Sequence, residues 1–202
     1  MTTAFEPTSD NQLSERIFKT PVEGLFFVAA PKHEDFRGFY AEVAIIPDIE
    51  AVLGKPFSIL QTNLNHSVTN VARGLHAEQW NKLVTVVHGQ AFCAWVDVRP
   101  ESDTFGECVT MIMGESMSKN GSMFVSQGIA NGYVVTQGPA DYHYLTDGLY
   151  RDRDSAFDVS LSLFDNQINI EWPVPRMEMI LSQRDKQAIT LQEVRTARGA
   201  AR

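Results

Sequence analysis

The sequence predicts an all-β domain, a double sheet or closed barrel of the jelly-roll kind. Three observations carry this: short runs rich in β-branched and aromatic residues, turn residues between them, and scarce helical periodicity. In chain order the strand-like runs are EGLFFVAA from Glu23, GFYAEVAII from Gly38, PFSILQTNL from Pro56, KLVTVV from Lys82, QAFCAWVDVR from Gln90, ECVTMIM from Glu107 and GYVVTQ from Gly132. Turn chemistry falls between them, with HG ahead of Gln90, KNGS ahead of Met123, SQG ahead of Ile129 and QGP ahead of Ala140. PDIEAVLG, after Ile46, is the helical pattern, with Pro near its start and Gly at its end, and it is too brief to organise a doubly wound sheet. In QAFCAWVDVR one face offers Phe92, Ala94, Val96 and Val98 and the other Cys93 and Trp95. Such a strand needs a second layer or another subunit against its second face, which favours an oligomer.

With 202 residues, 44% of them hydrophobic, and no Pro/Gly/Ser linker, residues 1–202 read as one domain. The opening MTTAFEPTSDNQ and the closing TARGAAR read as loose ends. A net charge of −8 argues against a broad grip on nucleic acid or an anionic membrane, but leaves room for a local cationic pocket. No membrane-spanning run and no secretory leader can be placed, so the cytoplasm is the expected compartment. Cys93 and Cys108 form no CxxC pair and read as buried thiols.

Four segments could carry chemistry. In HEDFRGFYAEV, Asp35 and Arg37 either close a turn as an ion pair, or Arg37 holds a phosphate with its two-pronged guanidinium; Glu42 is a charge on the following strand. The passage from Gln61 gathers Arg73, His76, Glu78 and Lys82 with several amides, where His76 is either a structural histidine or a general base. Tyr142 and Tyr144 share a strand face, with Tyr150 beyond the next turn, and complete a core or supply an acid. Asp185 follows an Ile-Leu pair and could orient a distant histidine through its other ring nitrogen. The five histidines show no strong zinc spacing and no motif demands a metal or cofactor, although a barrel could still gather His66 and His76, a choice that metal content decides.

Taken together and in order, DFRGFYAE, QTN, RGLH, KLV, VDVR, DTFG, GIANGY, the Tyr144/Tyr150 segment, IEWP and LSQRD resemble the dTDP-4-dehydrorhamnose 3,5-epimerase family over about 22–185. The resemblance implies a cupin-like β-sandwich with short peripheral helices, a homodimer, and metal-free epimerisation of a nucleotide-linked 4-keto-6-deoxy sugar at C3, C5 or both. It implies His76 as the base, Asp185 as its partner, Tyr144 as the acid on the opposite face and Lys82 at the keto oxygen. Arg37 and Arg73 would then hold the diphosphate, and Glu42, Gln61, Asn63, Asn131 and Tyr150 would contact sugar and nucleotide, with Tyr40 or Trp80 as base-stacking candidates.

The departures from the family pattern are specific. Ala77 and Glu78 replace an aromatic and a Gln after RGLH, Cys93 stands for an Asp, Asn131 for a His, and the segment around Asp165 has lost its aromatic and amide. An altered sugar subsite is therefore expected. The alternatives are a related sugar-nucleotide isomerase or dehydratase, and a binding protein without catalysis.

Overall fold

The structure, a computed structural model, describes residues 1–114 and 120–199. Its strands in order are β1 (Thr2–Ala4), β2 (Ile17–Lys19), β3 (Leu25–Ala29), β4 (Lys32–Asp35), β5 (Gly38–Ala41), β6 (Gln61–Ser67), β7 (Ala72–Ala77), β8 (Lys82–Asp97), β9 (Cys108–Gly114), β10 (Gly121–Val125), β11 (Ile129–Thr146) and β12 (Val159–Ser160). The helices are α1 (Ile46–Leu53), α2 (Gln183–Lys186) and α3 (Leu191–Gly199). This is the β-dominated, jelly-roll architecture expected from the sequence, with short helices at its periphery.

The frame is the antiparallel pair β8 and β11, which stay together along their length but bend in the middle. Gly89, at φ +70°, lets β8 turn its direction there, and the β8–β11 register shifts between Val135 and Tyr142. One half of the pair carries β6 on one side and β10, β3 and β2 on the other. The other half carries β7 and β12 on one side and β9 and β1 on the other. Between these two layers lies a core that includes Phe27, Val84, Trp95, Met111, Met123 and Tyr133.

The outer face of the second layer is covered by the chain itself, and that of the first layer in part, with Leu64 and Val87 left exposed. Ala94, Val96 and Val98 pack beneath Leu161, Leu163, Ile168, Leu191 and Val194 from the C-terminal quarter, and Trp172 meets Phe92 edge-on at 5.6 Å. Across the first layer, Ile49 of α1 joins Phe57, Leu83 and Phe124. The second face of the QAFCAWVDVR strand is thus filled by an intrachain layer, so its apolar character does not argue for a subunit. Cys93 and Cys108 are free, buried thiols, and burial pushes the Cys108 pKa up to about 11.

Several expectations are corrected. KLVTVV and QAFCAWVDVR are one strand, as are GYVVTQ and ADYHYLT, because β8 and β11 remain paired on both sides of the HG and QGP segments, which bend the ribbon instead of reversing it. PFSIL joins no ladder, and pairing begins at Gln61. GFYA pairs only with Lys32–Asp35, forming a hairpin apart from the main sheet. The opening residues are not loose: Thr2–Ala4 line up in parallel with Cys108–Thr110 and Phe5 enters the core. Thr196–Gly199 belong to α3, whose start carries a reciprocal cap in which Thr190 Oγ1 accepts from the Glu193 amide and Glu193 Oε2 from that of Thr190. The rest of that tail, and Lys119 of the KNGS turn, lie outside the described residues. No helix among the described residues is long and apolar enough to cross a membrane.

Candidate active site

A small cleft opens where β6, β7, β8 and β11 converge, lined by Asn65, Arg73, His76, Glu78, Lys82, Asn131, Tyr133, Tyr142 and Tyr144. Strand alternation explains part of the set. Asn131 and Tyr133 share a face of β11, Tyr142 and Tyr144 share one after the bend, and Asn65 continues the inward row that starts with Gln61 and Asn63 on β6. The β7 contribution breaks the rule. Arg73 and His76 both line the cleft although they are three apart, while Leu75 and Ala77 point into the outer core. The β7–β11 register shifts between these two residues, and the resulting irregularity turns His76 to the same side as Arg73. Gly74 sits at this point with φ +113°, and a Cβ there would lie 2.6 Å from Gly132 Cα, so both backbone angle and space require glycine.

His76 Nε2 lies 2.7 Å from Asp185 Oδ1. An ionised carboxylate only accepts, so Nε2 carries a proton, and the neutral form of the ring has its lone pair on Nδ1. Asp185 is itself fixed: Ser182 Oγ donates to Oδ2 at 2.7 Å and caps α2 by accepting from the Asp185 amide. Burial raises the Asp185 pKa, but the hydrogen bonds from His76 and Ser182 outweigh it, and the net shift is downward. A base whose tautomer is set by a held carboxylate is ready to take a proton.

Lys82 is buried in the wall, donating to Glu78 Oε2 and, at 2.5 Å, to Asn131 Oδ1; its remaining contact is a long one of 3.5 Å to the His76 carbonyl. Asn131 Nδ2 in turn donates to the Tyr142 hydroxyl at 3.1 Å. Tyr142 stacks on Tyr133 with centroids 4.2 Å apart, and Tyr133 shares Ser67 with the Nε of Arg73. Among the described residues, the terminal guanidinium nitrogens of Arg73 have no partner. Burial raises the Tyr144 pKa and Glu78, Tyr133 and Tyr150 push the same way, so the phenol holds its proton at neutral pH.

Of the residues singled out in the sequence, the fold brings Arg73, His76, Lys82, Asn131 and Tyr144 to the cleft and seats Asp185 behind His76. Gln61 and Asn63 lie further along β6, bonded to each other at 2.6 Å; Asn63 is opposite Tyr144 and Gln61 Oε1 accepts from the Tyr150 amide. Arg37 and Glu42 do not line this cleft. Arg37 pairs with Asp35 at 2.6 Å on the exposed hairpin, and Glu42 with Arg16 at 2.8 Å. Trp80 is buried against Gly148, whereas Tyr40 is exposed. His66 is paired with Asp141 and His76 with Asp185, and among the described residues no cluster of three metal-ligating side chains forms. Of the altered positions, Asn131 and Glu78 face the cleft, while Cys93 lies in the inner core and Ala77 in the outer one. Asp165 accepts amide hydrogens from Gln167, Ile168 and Leu191, holding the C-terminal layer. Asn65 and Tyr133 went unread as site residues; the alternation from Asn63 and from Asn131 was the signal for both.

The family model described as dTDP-4-dehydrorhamnose 3,5-epimerase matches residues 19–193. The dTDP-4-dehydrorhamnose 3,5-epimerase of Escherichia coli (strain K12) is 31% identical over 182 residues, covering 88% of this chain and 95% of the relative. The dTDP-4-dehydrorhamnose 3-epimerase of Streptomyces niveus is 30% identical over 180 residues, covering 87% of this chain and 84% of that protein. Among solved structures, a 4-keto-6-deoxy sugar epimerase from the novobiocin biosynthetic gene cluster of Streptomyces spheroides superposes with a TM-score of 0.82 at 28% identity, covering 96% of this chain and 95% of that one. An epimerase from Legionella pneumophila in complex with dTDP-4-keto-L-rhamnose gives 0.77 at 29% identity, with coverage of 87% and 92%.

Proposed function

Because the chain belongs to the dTDP-4-dehydrorhamnose 3,5-epimerase family, we propose that this cleft inverts carbon next to the ketone of a dTDP-linked 4-keto-6-deoxy sugar. The protein is an enzyme of the epimerase type. The observation that carries the reading is the His76–Asp185 pair at 2.7 Å, in one cleft with Lys82 and Tyr144.

The C4 ketone makes the hydrogens on C3 and C5 acidic, because the electron pair left behind delocalises onto oxygen. His76 Nδ1 takes the proton and becomes imidazolium, held by Asp185. The enolate oxygen faces the Lys82 ammonium, whose attraction grows as negative charge develops. Tyr144 gives its phenolic proton to the other face of the carbon and the configuration inverts; His76 then loses its proton to solvent and Tyr144 regains one. Arg73, with free guanidinium nitrogens at the cleft, suits the diphosphate.

Solvent deuterium tests this directly. Ketosugars linked to dTDP, GDP, CDP and UDP should acquire deuterium at C3 or C5, the dTDP sugar fastest; folded protein that labels none of them would end the reading. In Tyr144→Phe, exchange on the His76 face should persist within about tenfold while completed inversion falls by about 10²-fold or more. Equal inversion rates in the two proteins would remove Tyr144 from the acid role.

A homodimer fits the two residues that the chain keeps from its own cleft. The β4–β5 hairpin projects with Phe36 and Tyr40 exposed, and a second copy could present its Arg37 and Glu42 at this cleft while receiving the same in return. Mixing Arg37→Ala with His76→Asn protein should then recover about a quarter of wild-type activity, since half of the random dimers are mixed and half of their sites intact. Activity no higher than the sum of the separate variants would show that the two residues act within one chain or not at all.

A further inference from the structure

Glu78 is the anionic side chain among the described residues that line the cleft, and the mechanism above leaves it without a task of its own. Its Oε2 receives Lys82, while Oε1 has no hydrogen-bond partner among the described residues. Burial raises the Glu78 pKa, but the charge and hydrogen bond of Lys82, helped by His76 and Arg184, prevail, and the group is a carboxylate at neutral pH. A carboxylate oxygen in the wall of a sugar site accepts and never donates, and closing that site over it without a donor is costly.

The donor can be identified from the chemistry of the ring. Lys82 spends two of its N–H groups on Glu78 and Asn131, and its third, now in a 3.5 Å contact with the His76 carbonyl, is the one left for the C4 oxygen. Glu78 therefore stands one ammonium away from that oxygen. Of the carbons that flank C4 in a 4-keto-6-deoxy pyranose, C5 bears a methyl group and the ring oxygen, neither a donor, and C3 bears a hydroxyl. We infer that Glu78 Oε1 accepts a hydrogen bond from the C3 hydroxyl of the substrate, which makes Glu78 the residue that selects 3-hydroxy over 3-deoxy ketosugars. The inference rests on the epimerase reading, with Lys82 at the C4 oxygen, and gives the sugar subsite a contact that follows from one of this chain's own departures.

The test compares kcat/KM for deuterium exchange at either carbon flanking C4, using the dTDP-linked 4-keto-6-deoxy sugar and its 3-deoxy counterpart. Wild-type protein should prefer the hydroxylated sugar by about 10²-fold or more, as sites built to pair a hydroxyl do. In Glu78→Ala the preference should shrink to within about threefold, and Glu78→Gln, which keeps a carbonyl acceptor, should fall between. Disturbance of Lys82 lowers the rate with both sugars and cancels in the ratio. If Glu78→Ala is too slow to follow, the ratio of dissociation constants for the two sugars reports the same contact. A wild-type ratio near one, or a ratio unchanged in both variants, overturns the inference and leaves the epimerase intact. Exchange with neither sugar in wild-type protein overturns both.

Discussion

His76→Asn is expected to reduce solvent-deuterium exchange into the ketosugar by about 10³-fold or more, with sugar-nucleotide affinity changed by less than about fivefold. Asn is polar and of similar reach, so it can still donate to Asp185, but its amide has no basic lone pair for a carbon-bound proton. Arg73, Lys82 and Tyr144 stay as they are, so the ground state loses little. Deuterium incorporation followed by NMR, with dissociation constants by titration, separates the two effects; exchange within tenfold of wild type would remove His76 as the base. The pair also sets an acid limit. Because the folded-state pKa of Asp185 is lowered, its stabilising contribution is present above the unfolded value of about 4 and is lost as pH falls through the lower folded value. Wild-type protein should therefore lose this support only in acid, and His76→Asn, which keeps a donor to Asp185 but loses the imidazole's charge, should lose it at a higher pH.

Lys82→Met should damage stability and catalysis together. The ammonium is buried and ion-paired with Glu78, so its removal leaves a carboxylate in the wall without its ion-pair partner. Breaking such a pair from one side costs about 3–5 kcal/mol, on the order of a 10 °C fall in Tm for a domain of this size. Catalysis should fall by about 10²–10³-fold, the usual effect of removing a group that faces a developing oxyanion. The two losses can be told apart. Adding Glu78→Gln to Lys82→Met removes the stranded charge and should return most of the melting temperature, while exchange stays as slow as in the single variant. If the double variant melts no higher than Lys82→Met, the ion pair is not the source of the instability; if Lys82→Met exchanges at the wild-type rate, the ammonium does not face the enolate.

The legibility of the site followed the range of the interactions that build it. Phe92, Ala94, Val96 and Val98 announced one face of a strand, and Tyr142 and Tyr144 another, because alternation needs nothing beyond the local backbone. Thr190 and Glu193 carried the signal of a helix start that composition alone concealed. The HG and QGP segments show the limit of such signals. A glycine that permits a turn equally permits a bend, and only the continued pairing of β8 with β11 selects the bend.

Strand content, the acidic balance and the candidates for the reacting side chains were thus written in the order of residues. The tertiary structure decided which of them meet. Asp185 reaches His76 across 109 positions, and the pairing of β7 with β11 turns Arg73 and His76 to one side where strict alternation would oppose them. Glu78, one substitution in a turn-rich passage, becomes the partner of the buried Lys82, and Arg37 is carried away on its hairpin. Local patterns report the state of the backbone, but the charge a side chain faces depends on which strand lies beside its own and in what register. That is set by the packing of the whole core.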